Sequence, residues 1–209
     1  YSCYLFDADG TLFDTTELIY RCFQNTSRSF GHGEIDRSKV ISHIGLTLRD
    51  QMKIYFGLST DTQFQEYRKV HMDYQMSIYR EHLQLFEGVQ ETLARLHERG
   101  KPCAVVTSRF RETLTLFLKE TGILEYFSIL VTPESTAKHK PEPEPALHAL
   151  AALQVSASDA LFIGDATFDI ECGHNAGTDT AFVNWSTNPV HSLKVKPTYI
   201  LDTIRELCS

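Results

Sequence analysis

The chain has 209 residues, 42% hydrophobic content and a formal charge of −7, enough to bury a substantial core and to hold one medium domain plus a smaller insertion. The acidic balance, with no stripe of Lys and Arg, argues against a nucleic-acid polymer as partner, although a metal and a few placed cations can still make a local site for a small phosphorylated ligand. No run of about 18 apolar residues and no basic stretch ahead of an apolar one is present, so neither a membrane span nor a signal peptide is expected.

In chain order, Tyr4 to Phe6 forms a short apolar strand that breaks into Asp7-Ala8-Asp9-Gly10-Thr11-Leu12-Phe13-Asp14. From Thr15 to about Leu83 no β-branched run occurs and apolar residues recur at helical spacing, which predicts an all-helical insertion over 15–83. Phe64, Tyr67, His71, Tyr74 and Ile78 step by three or four residues and form one stripe on a helix of about 20 residues, read as packing. Past residue 85 strands alternate with helices: strands Cys103 to Thr107, Ile129 to Val131, Leu161 to Ile163, Thr180 to Val183 and a short one near Tyr199. Between them lie helices Val89 to Arg99, Arg111 to Thr121, Glu144 to Leu153 and Asp169 to Asn175. That alternation predicts an α/β core over 1–14 and 84–209, a parallel sheet flanked by helices. Cys3, Cys22, Cys103, Cys172 and Cys208 are odd in number and scattered, which argues against a disulfide framework and fits a reducing cytosol. The histidines lack metal-site spacing, Cys172-x-His174 and His139 beside Lys140 being weak matches.

Four predicted strand ends carry the chemistry. Asp7 and Asp9 put two carboxylates at the carboxyl edge of a sheet, where open α/β folds place ligands; they repel unless a cation or shared proton intervenes. Thr107 and Ser108 end the next strand where a helix should begin, so backbone amides and a hydroxyl can bind phosphate, or Ser108 can serve as an N-cap. Lys140 precedes Pro141, which restricts the backbone and fixes where the ammonium points; Lys138 is the competing cation. Asp165 ends a fourth strand, and Asp169 falls in the first turn of the next helix, close enough to share a hard cation or orient its ligand, or to act only as helix-terminal charge. Oxygen donors without a thiolate or imidazole cluster point to Mg²⁺.

The string from Asp7 to Thr15 resembles the first motif of the haloacid dehalogenase superfamily, DxDGTLxDS, with Thr15 in place of the final Ser. Thr107 with Ser108, the KPxP string at Lys140, and Asp165 with Asp169 match the later motifs in order. The resemblance covers nearly the whole chain and implies a Rossmann-like doubly wound core with an inserted helical cap over the active site. It also implies that Asp7 attacks phosphorus, giving an aspartyl-phosphate, that Asp9 donates and later removes a proton, and that Thr107, Ser108 and Lys140 bind phosphate. Mg²⁺ is then held by Asp7, Asp165 and the Asp9 backbone carbonyl, with Asp169 as ligand or support. An aspartic acid ionises near pH ~3.9 in water, so Asp9 must be kept protonated by its surroundings during the first step. The second Asp makes dehalogenation unfavourable. Gly45 to Arg49 resembles a cap loop, with Arg49 meeting a distal anionic group of the substrate, although an Arg can equally be a solvated helix residue. The expectation is a phosphatase of a small metabolite, phosphoglycolate-like and monomeric or homodimeric, with a sugar phosphomutase of the β-phosphoglucomutase type or a pyrophosphatase or nucleotidase as alternatives.

Overall fold

Short strands buried on both faces are the frame of the molecule. The computed structural model describes residues 1–208. The chain runs β1 (Cys3–Phe6), β2 (Phe13–Asp14), α1 (Thr16–Ser29), α2 (Arg37–Ser42), α3 (Leu48–Phe56), α4 (Asp61–His82), β3 (Gln84–Leu85), α5 (Val89–Glu98), β4 (Cys103–Val106) and α6 (Arg111–Glu120). It continues through β5 (Phe127–Val131), α7 (Glu144–Leu153), β6 (Ala160–Gly164), α8 (Thr167–Ala176), β7 (Asp179–Val183) and β8 (Tyr199–Leu201). Six strands form one sheet in the order β5-β4-β1-β6-β7-β8, and every neighbouring pair is parallel.

Alternation along β1 explains why the run is wholly apolar. Tyr4 and Phe6 join Leu93, Leu96, Phe117 and Ile163 on one face, whereas Cys3 and Leu5 join Ala146, Leu150, Phe162 and Cys172 on the other. Helices α5 and α6 therefore cover one face and α7 and α8 the other, the arrangement that parallel sheets require. Each fully buried Leu or Phe contributes ~1.5–3 kcal/mol to this core. Because β4 and β5 extend the sheet to one side of β1 and β6 to β8 to the other, the order reverses at β1, and a crevice opens beyond the carboxyl ends of β1, β4 and β6.

Between β2 and β3 the chain carries four helices. Asp36 caps α2 by accepting from the Ser38 and Lys39 N–H groups. Thr60 and Gln63 form a capping box at the start of α4, and Gly57 ends α3 in the left-handed region, where a side chain would be strained. The helices share a second apolar cluster of Phe23, Val40, Met52, Leu58 and Phe64, while Leu18, Cys22 and Tyr79 belong to the sheet's own core. The expected stripe lies on α4: Phe64, Tyr67, Tyr74 and Ile78 pack into these clusters, and His71 is buried beside Phe23. The pairing of Phe13 with Leu85 and Asp14 with Gln84 is absent from the sequence reading, because two-residue strands are too short to show a period.

Candidate active site

All four motifs arrive at the crevice, but only three from strand ends: Asp7, Thr107 and Asp165 directly follow β1, β4 and β6, whereas Lys140 lies in the loop between β5 and α7. Asp7 follows β1 directly and its N–H donates to the Ile163 carbonyl of β6 at 2.9 Å, so the sheet ladder continues one residue beyond the strand and fixes the side chain. The following turn closes on Ala8, whose carbonyl accepts from the Leu12 and Phe13 N–H groups at 2.9 Å each. Gly10 sits in this turn at φ +88°, and a Cβ there would lie 2.3 Å from Asp165 Oδ2. Only glycine lets the turn carrying Asp9 approach the β6 carboxylate so closely.

Lys140 is the hub. Its side chain is 1% exposed, and Nζ donates to Asp7 Oδ1 and Asp169 Oδ1, both at 2.6 Å. Burial alone would lower the lysine, but the charges of Asp169 and Asp7 outweigh it and hold the ammonium above its ordinary value. The competing Lys138 is exposed and faces Glu142 at 3.6 Å. Asp169 lies in the first turn of α8, and its second oxygen accepts from the Ala166 and Asp165 N–H groups at 3.0 and 3.2 Å. Asp165 Oδ2 accepts from Ser186 Oγ at 2.6 Å and Asn188 Nδ2 at 3.0 Å.

Carboxylate oxygens of Asp7, Asp165 and Asp169 all lie within 4.8 Å of one another, and all three residues are buried. Burial, followed by the charge of Asp169, raises Asp7 well above its ordinary value against the opposing pull of Lys140. Burial and Asp169 likewise push Asp165 up to about 7. Three buried carboxyl groups share one ammonium, so two negative charges lack a counter-charge when all are ionised. That donor set, hard oxygens around a common point, fits a divalent cation such as Mg²⁺. Asp7 Oδ2 carries no hydrogen bond among the described residues, and Asp165 Oδ1 receives only a long one from Thr11 at 3.4 Å. Both oxygens of Asp169 are occupied, which suits it to orienting the others.

Thr107 directly follows β4, its N–H donating to the Val131 carbonyl at 3.0 Å, and its Oγ1 accepts from the Arg109 N–H at 3.2 Å. Ser108 does not cap a helix: α6 begins at Arg111 behind Phe110. Its hydroxyl donates instead to the Gly45 carbonyl at 2.5 Å. Gly45 is at φ +105°, and a Cβ there would meet Phe168 at 3.1 Å and Ala166 at 3.2 Å, so the loop before α3 is pressed against the β6–α8 connection.

Two expectations change. The Asp9 carboxyl is fully engaged in this conformation: Oδ1 accepts from Thr15 Oγ1 at 2.5 Å and both oxygens accept from Arg109 at 2.6–3.2 Å. Its carboxylate also stands apart from the three-carboxylate cluster, leaving only its backbone for a metal role. Arg49 does not reach the site: it is 52% exposed, pairs with Asp61 at 2.5 Å and lies 4.0 Å over the Phe64 ring. At the start of a helix, sequence spacing cannot tell which way a long cation turns, and this one finds its partners outside. The cation that does face the crevice is Arg109, whose place after the hydroxyl pair is visible in the sequence but whose partner, Asp9, is 100 residues away. Ser186 and Asn188 belong to a segment with no motif to mark them.

Asp7, Asp9, Thr107, Ser108 and Arg109 line one side of a cavity of about 70 Å³, and Phe23, Leu46, Gln51, His71 and Gln75 line the helical side. Burial, helped by the nearby Arg109, pushes His71 down to about 3, so its imidazole is neutral here. Gln51 gives its amide N–H to Leu46 at 2.9 Å, and its carbonyl oxygen is buried without a partner.

With this geometry in place, comparison with known proteins is informative. Residues 4–183 match the family model described as haloacid dehalogenase-like hydrolase. The chain is similar to a putative pyrophosphatase PpaX of Caldanaerobacter subterraneus subsp. tengcongensis, 36% identical over 204 residues covering 97% of this chain and 91% of that one. In structure it is similar to a putative haloacid dehalogenase-like hydrolase from Bacteroides fragilis, with TM-score 0.90, 27% identity and 99% of each chain covered. A putative phosphoglycolate phosphatase from Lactobacillus plantarum shares the fold at TM-score 0.88 and 21% identity, over 100% of this chain and 98% of that one.

Proposed function

We propose, from the premise that this chain belongs to the haloacid dehalogenase-like hydrolase family, that it is a Mg²⁺-dependent phosphatase of a small substrate whose leaving group is itself anionic. Inorganic pyrophosphate is the first candidate and phosphoglycolate the second. The observation that carries the reading is the clustering of the Asp7, Asp165 and Asp169 carboxylates at the carboxyl edge of the sheet, with the buried Lys140 paired to Asp7 and Asp169. The name of the 36% identical relative supports the first candidate.

In this reading Asp7 is the nucleophile. One of its oxygens forms a bond to phosphorus as the bond from phosphorus to the leaving oxygen breaks, and a proton carried by the Asp9 carboxyl passes to that oxygen. Asp9 then accepts a proton from water, whose oxygen attacks the aspartyl-phosphate and returns Asp7 as a carboxylate with release of phosphate. Lys140 and the hydroxyl and amide groups at Thr107 and Ser108 bind the phosphoryl oxygens. Asp7, Asp165 and the Asp9 carbonyl would hold the metal, which supplies positive charge to the transferring phosphoryl group. Asp169 keeps Lys140 and the β6 turn in place. The helices from residue 15 to 83 act as a cap that closes the cavity, and the buried, unpaired cysteines suit a reducing cytoplasm.

The test is phosphate release from pyrophosphate, phosphoglycolate and a phosphorylated sugar, with Mg²⁺ and with chelator. Asp7→Asn should lose at least ~10³-fold of its turnover while keeping the fold. Unchanged turnover refutes the nucleophile, and sugar isomerisation without phosphate release would favour a mutase.

A further inference from the structure

Arg109 has no task in the chemistry above, yet it is built into the cavity wall. Its side chain is 7% exposed. The guanidinium lies 4.5 Å over the Phe117 ring, and Nη1 donates to Gln75 Oε1 at 3.3 Å and to Thr113 Oγ1 at 3.4 Å. Those contacts come from α4 and α6 and are independent of Asp9, so they hold the cation where it is whatever Asp9 does. The remaining Nε and Nη2 hydrogens, a planar pair suited to two oxygens of one anion, point at the Asp9 carboxylate.

We infer that Arg109 determines specificity for the leaving group: an anionic leaving group takes the place of Asp9 on the guanidinium, and Asp9 is thereby released to face the leaving oxygen. This rests on the phosphatase reading and adds to it the residue that recognises the group that leaves. Three observations lead there. Asp9 cannot serve the leaving oxygen while both of its own oxygens are bound to Arg109 and Thr15. Among the described residues Arg109 is the one Lys or Arg side chain in the cavity wall; Lys140 lies outside it, Arg49 points outward and the His71 imidazole is neutral. The cavity also joins Arg109 to Asp7 and Thr107, so an anion on the guanidinium shares one crevice with the nucleophile. A neutral alcohol brings nothing to exchange with Asp9, so a substrate that loses one leaves the Asp9–Arg109 pair closed.

The experiment compares pyrophosphate, which loses an anion, with ethyl phosphate, which loses a neutral alcohol, at saturating Mg²⁺. Arg109→Gln should lower kcat/KM for pyrophosphate by about 100-fold and for ethyl phosphate by no more than about tenfold, the size of effect set by a charge-assisted bidentate contact. The wild-type preference for pyrophosphate then shrinks at least tenfold. Arg109→Lys keeps the charge and loses the planar fork; it should recover part of that preference, and it serves as the readout should Arg109→Gln fail to fold. Equal fractional losses on both substrates in a folded variant, or a wild-type preference untouched in Arg109→Lys, overturn the assignment while leaving the phosphatase reading intact. Phosphate release from neither substrate by the wild-type protein overturns both.

Discussion

Replacing Asp165 by Asn in metal-free protein should change stability in a pH-dependent way whose sign is fixed by the site. In the folded chain Asp165 is raised from its ordinary value of 3.8 to about 7, by burial and then by Asp169, so between those limits the native state binds more protons than the unfolded one. Stability from this group is fully present below pH ~4 and is lost as pH rises through about 7. At ~1.36 kcal/mol per tenfold change in proton affinity, the loss between pH 5 and 7 is about 2.3 kcal/mol, or on the order of 5–9 °C in melting temperature for a chain of this length. The amide at position 165 has no such penalty. His71 works in the opposite direction, because its fall from 6.5 to about 3 adds stability as pH rises to 6.5, but it is common to both proteins and cancels in the difference. Thermal unfolding by circular dichroism in chelator should therefore show Asp165→Asn gaining on the wild type from pH 5 to 8, with Mg²⁺ reversing the order. A difference independent of pH would falsify the burial argument.

Two further outcomes follow from the same geometry. Lys140→Met strands Asp7 and Asp169 without their ammonium; denaturant unfolding in chelator should show a loss of ~3–5 kcal/mol, and unchanged stability would mean that the carboxyl groups do not depend on the lysine. Arg49→Ala removes an exposed ion pair worth ~0–1 kcal/mol and should alter kcat/KM for pyrophosphate less than about twofold; a tenfold loss would return Arg49 to the substrate site.

The motifs at Asp7, Thr107, Lys140 and Asp165 are legible in the sequence because each is local, an apolar run or a proline with its polar residues beside it. The parallel sheet follows from the same runs, and it is the order reversal at β1 that gathers their ends. What could not be read depends on side-chain direction or distant pairing. Arg49 and Arg109 both precede or open helices, and only the fold shows that one turns to Asp61 while the other crosses to Asp9. The partners of Asp9, Thr15 and Arg109, likewise depend on the fold. Gln51, Ser186 and Asn188 stand in no recognisable pattern, so their places beside the cavity and on Asp165 emerge only in three dimensions.

The pairing of Asp14 with Gln84 places the exit from the sheet next to the return to it. Relative to the α/β framework, the whole of residues 15–83 leaves from and returns to one spot on its rim. The four helices are thus tethered to the framework at one place by backbone and at a second by side chains, since Leu18, Cys22 and Tyr79 are shared with the sheet's core.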